Sequence, residues 1–139
     1  MEITRREAMI GALLPFLQLA REGTAEAQRT QASDGTVFQH DLPNITLDDW
    51  QVTVSTITLE PGNVGRSHRH PGFVLVYILE GEVVTKVSGQ EQATYSAGQM
   101  FYEQPGSTHE VSRNASATKP AKFLALIFAK KGLPLVTPA

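Results

Sequence analysis

There is no cysteine among the 139 residues of this sequence. That excludes a disulfide framework, a thiolate metal site, a cysteine nucleophile and a lipid attached through cysteine. It leaves the redox compartment open, since a cysteine-free domain is at home in either. Basic clusters are also missing: the 12 Lys and Arg are scattered and balanced by 14 Asp and Glu, for a formal net charge of −2. A nucleic-acid surface needs concentrated positive charge, so nucleic acid is not an expected partner. After the first 27 residues no useful length of chain shows helical periodicity. Long repeats, low-complexity tracts and a phosphate-cradling glycine loop are absent as well. What remains is one domain of ordinary globular composition, 41% hydrophobic and 19% charged.

Residues 1–27 read as an export signal. Arg5 and Arg6 precede an apolar stretch from Ala8 to Ala20, and Ala25-Glu26-Ala27 offers small residues for cleavage before Gln28. The stretch is too short to span a bilayer as a helix. An amphipathic first helix is the alternative, but Pro15 and the cleavage-like tripeptide suit it poorly. "TRREAMI" resembles a twin-arginine signal, with Ala8-Met9 in place of the usual bulky apolar pair. The expectation is a periplasmic or otherwise exported protein with no stable membrane anchor after cleavage. Cleavage would remove three bases (Arg5, Arg6, Arg21) and four acids (Glu2, Glu7, Glu22, Glu26), changing the net charge from −2 to −1.

Residues 28–50 read as an N-terminal arm, polar at first, then irregular around Pro43 and anchored by Trp50. His40, beside Asp41, reads as a surface histidine. From Gln51 the pattern is strand after strand: "QVTVSTITL", "FVLVYIL", "VVTKVS", "QATY", "QMFYE", "HEVSR" and "AKFLALIFA", punctuated by Gly and Pro. In the first of these the apolar parity changes near Ser55-Thr56, which suggests a bulge or burial on both faces. Such a series predicts an all-β antiparallel sandwich or barrel over residues 51–130, with 131–139 as a C-terminal tail. Positions 123–128, "FLALIF", are apolar throughout, so both faces of that strand need cover. In so small a core this predicts a homodimer.

Two histidines stand out by their spacing. On a strand, residues i and i+2 share a face, so His68 and His70 project together while Arg69 points away. Two imidazoles side by side are either surface residues or neutral nitrogen donors for a divalent metal. Arg66, two residues before His68, is either solvated or a fork for an oxyanion. Ser107, Thr108, His109 and Glu110 do not make a hydrolase, because neighbours in one strand cannot supply nucleophile, positioned base and oxyanion donors. Tyr77 and Tyr102 read as core aromatics with a wet hydroxyl.

Gly62, five residues, His68-x-His70, then Gly81 after the apolar run resemble the first motif of the cupin family. Gly98, Pro105-Gly106 and His109 resemble its second motif. The likeness spans roughly residues 51–130 and implies a jelly-roll β-barrel holding a metal on His68, His70 and His109. Three positions depart from the pattern. Val74 stands where the family carries a glutamate ligand, Gln104 replaces a proline, and Arg113, followed by Asn114, replaces an asparagine. Either a three-histidine site operates or a carboxylate comes from elsewhere, and Glu103 in "FYEQPG" is the candidate. Alternation places Glu103 with Phe101, opposite Met100 and Tyr102, although the Pro-Gly turn that follows leaves an exposed strand-end carboxylate as the other reading.

The resemblance, closest to the small quercetin-dioxygenase-like cupins, implies a metal-dependent enzyme acting on a small oxygen-bearing organic molecule. Its chemistry would be dioxygenase-like, or that of an isomerase or lyase. His68, His70 and His109 would be ligands and Glu103 a ligand or general base. Nitrogen and oxygen donors with open positions suit iron, manganese, nickel, copper or zinc. A non-enzymatic periplasmic protein binding a small molecule or a metal is the rival reading, and a purely structural metal site is a third.

Overall fold

The computed structural model describes residues 35–139, so the export reading of residues 1–27 lies outside the described residues. Those residues form nine strands and no helix. The first is β1 (Trp50–Leu59), followed by β2 (His68–Arg69), β3 (Phe73–Glu80), β4 (Glu82–Val87) and β5 (Ala93–Ser96). The remainder are β6 (Met100–Glu103), β7 (Thr108–Asn114), β8 (Ala121–Lys130) and β9 (Thr137–Pro138). They make two antiparallel sheets, one ordered β1-β8-β3-β6 and the other β5-β4-β7-β2-β9. The strand series predicts an antiparallel sandwich or barrel, and the two sheets form the jelly roll that the motif resemblance implies.

Alternation decides which side chains enter the barrel. Along β8, Ala121, Phe123, Ala125, Ile127 and Ala129 are buried, while Leu124, Leu126 and Phe128 face the other side and are half-buried. The β8 strand lies between β1 and β3, so its backbone is paired on both edges. Val74, Val76 and Ile78 of β3 and Leu59 of β1 join the β8 residues in the interior, with Phe101 and Tyr95 closing the cluster. Side chains of this size each contribute roughly 1.5–3 kcal/mol when fully buried, which is the main force closing the two sheets.

The parity change in β1 has a simpler cause than the sequence suggests. Its pairing with β8 runs from Trp50↔Lys130 to Leu59↔Ala121 without interruption, so there is no bulge. Val52 and Val54 instead point outward and are 50% and 55% exposed, whereas Ile57 and Leu59 point in. The outer face of this sheet is thus apolar too. At one end it is covered: Phe73 stacks on Phe128 at 4.6 Å between ring centroids, with Trp50 and Tyr102 beside it. His40 is exposed and lies over Tyr102 at 4.0 Å, so the arm passes across this end.

Bulges fall between Ile78 and Glu80 and between Lys86 and Val87. The second lets both His109 and Ser112 of β7 be buried despite their odd spacing. Gly72, just before β3, stands against a wall: a Cβ there would clash with the Phe128 carbonyl oxygen. Only glycine allows this approach, which sets the chain leaving His70 hard against β8.

Candidate metal centre

The chain from Val64 to Arg69 runs antiparallel along β7, bridging Val64 to Arg113 and pairing His68 directly with His109. Directly opposed residues share a face, so the second motif's histidine stands beside the first motif's. The His68 ring lies 5.1 Å from that of His109 and 4.9 Å from that of His70. His70, one residue past β2, is buried, as is His109. Arg69 points away and donates from Nε to Thr108 Oγ1 at 2.9 Å.

Glu103 points inward and is 3% exposed. Its Oε1 lies 3.2 Å from His109 Nδ1 and its Oε2 3.8 Å from His70 Nε2. The β3–β6 register explains the placement, because Val74 and Glu103 are direct partners across the strand pair. The carboxylate missing at position 74 is thus present on the neighbouring strand, on the same face.

Two imidazoles are oriented by backbone carbonyls. His68 Nδ1 lies 2.8 Å from the Arg66 carbonyl oxygen, and His70 Nδ1 lies 2.7 Å from that of Leu135. A carbonyl only accepts, so each Nδ1 carries the hydrogen and each Nε2 is left as the lone pair of the neutral ring. Metal-binding histidines are commonly held this way. Burial lowers the pKa of His70 below its ordinary value, outweighing the Leu135 carbonyl and Glu103, so the ring is held neutral.

His109 is held the other way round. Its Nε2 lies 2.6 Å from Thr85 Oγ1, so Nδ1 faces Glu103. That nitrogen is buried and has no hydrogen-bond partner, because Glu103 is near in distance but not aligned. As the side chains stand, no three His, Asp or Glu among the described residues converge to hold a metal ion. The donor chemistry nevertheless fits one: three imidazoles, a buried carboxylate and an orphaned ring nitrogen. Closing them on an ion calls for side-chain rotation rather than backbone movement, since the strand register already places them together.

These groups line a cavity of about 330 Å³. Arg66 and Ser112 also line it, and Arg66 is the only Arg or Lys among the described lining residues. The remaining wall is largely apolar, including Ile57, Val76, Phe123 and Ile127, and the segment after β8 adds Leu135 and Val136. Sequence reasoning missed Leu135 because a carbonyl is common to all residues. Thr85 did leave a signal, a hydroxyl at an inward position between Val83 and Val87.

A profile of the cupin domain matches residues 55–127, just over half of the chain. Among solved structures, a Klebsiella pneumoniae protein described as uncharacterised, with a double-stranded β-helix domain, is 21% identical with a TM-score of 0.54. That match covers 63% of this chain and 74% of the other. A predicted oxalate decarboxylase from Thermotoga maritima is 28% identical with a TM-score of 0.51, over 59% of this chain and 69% of the other. DMSP lyase DddQ from Ruegeria pomeroyi is 18% identical with a TM-score of 0.55, over 63% of this chain but only 43% of its own. No curated protein sequence matches this chain.

Proposed function

The chain belongs to the cupin family, and on that basis we propose that it is a metal-dependent enzyme acting on a small oxygen-bearing organic molecule. One observation carries the reading: three imidazoles and a buried carboxylate line a single cavity that is otherwise largely apolar. His68 and His70 would bind the ion through Nε2, and His109 and Glu103 would complete the set. Bound there, a divalent metal supplies Lewis acidity to a substrate oxygen and lowers the pKa of a neighbouring proton. Iron, manganese, nickel, copper and zinc all suit such donors.

Glu103 has two roles open to it in this arrangement. As a buried carboxylate it offsets the charge of the cation. As the only carboxylate among the described residues lining the cavity, it is also the group placed to accept a substrate proton. Carbonyl contacts from Arg66 and Leu135 keep the His68 and His70 lone pairs inward. A carboxylate placed to accept a proton in a cavity suits isomerase or lyase chemistry better than a purely structural metal site. The similar folds named a lyase and a decarboxylase support this as a class of chemistry, not as a substrate.

Metal analysis of native protein tests the reading. It expects near-stoichiometric transition metal, lost in His68→Ala and in His109→Ala while the fold is kept. Native protein that carries no metal and takes none up would refute it. A spectral screen of the same material for bound organic ligand separates the enzyme from a sequestering protein. We read residues 1–27 as an export signal, so intact mass of secreted protein should begin near Gln28.

A further inference from the structure

The segment after β8, Leu133–Pro138, reads from sequence as a tail, yet it reaches into the site at three points. The Leu135 carbonyl accepts from His70 Nδ1 at 2.7 Å, across 65 residues of sequence. Leu135 packs on the hydrophobic cluster, and with Val136 it lines the cavity. Thr137 and Pro138, as β9, pair with β2 alongside His68 and Arg69. The β9 strand is two residues long at a sheet edge, and Pro138 has no N–H to donate.

We propose that residues 133–138 are a strap belonging to the site. The Leu135 carbonyl is a positioning group that aims His70 Nε2 at the ion, and in this respect the proposal rests on the metal reading above. The Leu135 and Val136 side chains roof the cavity and determine specificity. The ligand they select is an amphiphile, with an oxygen-bearing head at the imidazoles and Arg66 and a hydrocarbon body under the strap. A small polar dianion such as oxalate would leave the apolar wall of Ile57, Val76, Phe123 and Ile127 without a partner.

The test compares the full chain, a chain ended after Gly132, and the double variant Leu135→Ala/Val136→Ala. Zinc titration of chelator-treated protein should show the shortened chain losing roughly 10–100-fold in affinity, the usual effect of removing a group that orients a ligand. The double variant keeps the carbonyl and should bind zinc as the full chain does. Butyrate, hexanoate and octanoate should bind the full chain with a gain of about fourfold per methylene. That gain should flatten in the double variant, and oxalate should bind more weakly than hexanoate.

A folded shortened chain with undiminished zinc affinity would overturn the positioning role. Should the shortened chain not fold, imidazole nitrogen NMR of the full chain decides instead. An Nδ1–H tautomer at His70 supports the role, and an Nε2–H tautomer overturns it. Carboxylate affinities that do not depend on chain length would overturn the amphiphile. Failure of the full chain to bind zinc would sink the metal reading and the positioning role with it, whereas the amphiphile stands or falls on the chain-length series, which is measured without metal.

Discussion

Glu103→Met replaces a buried carboxylate with an apolar side chain of similar length, and its effect on stability should reverse sign when metal is added. Glu103 is 3% exposed, and the only basic groups within ion-pair distance among the described residues are His70 at 3.8 Å and His109 at 3.2 Å. Burial opposes protonation of His70, so in metal-free protein the carboxylate has little cationic compensation. Replacing a whole buried ionic cluster by apolar groups of similar volume is often neutral or stabilising by about 1–4 kcal/mol, and a neutral His70 leaves no unpaired charge behind when Glu103 is removed. The lower end, about 1 kcal/mol, would raise Tm by about 4–8 °C in a domain of this size.

Metal reverses the order. At a metal concentration of 100 times its Kd, the wild-type protein gains about 2.7 kcal/mol. A variant that binds a hundredfold more weakly gains only about 0.4 kcal/mol at the same concentration. Its total of about 1.4 kcal/mol then falls below the wild-type gain. Thermal or urea denaturation of chelator-treated and metal-loaded protein reads both signs. Two results would refute the reasoning: loss of more than 1 kcal/mol in the metal-free variant, or equal metal-induced gains in both proteins.

Because Val74 and Glu103 are direct cross-strand partners, Glu103→Val should lose metal-dependent stabilisation and the double exchange Val74→Glu/Glu103→Val should recover part of it, measured as the metal-induced shift in Tm. The lowered pKa of His70 sets a pH dependence: as pH falls below the ordinary histidine value of 6.5, the unfolded chain takes up a proton before the folded one does. Metal-free protein should therefore be stable above that value, weaken on acidification and level off once folded His70 is protonated, with the slope reduced in His70→Gln. The outer row Val54-Leu126-Leu75 and the neighbouring pair Leu124-Tyr77 predict a homodimer, which sedimentation at micromolar concentration would show and which Leu126→Lys should split.

Strand identity and side-chain facing were legible because they are local. Continuous apolar runs bounded by Gly and Pro are enough to mark β3 and β8, and the period of two puts His68 and His70 on one side. His109 was legible through its motif. The inward side of Glu103 was half legible, since alternation favours it but the turn at Pro105-Gly106 follows at once. Its placement opposite Val74 is a matter of register between β3 and β6, and no short stretch of sequence states a register. The tertiary structure alone decided that Thr85 engages His109 and that Leu135 engages His70, contacts that span 24 and 65 residues. The Leu135 contact uses a backbone oxygen, which is the same in every residue, so residue type carries no trace of it. It exists only because the strap returns to pair with β2, a consequence of how the two sheets close and not of any local preference.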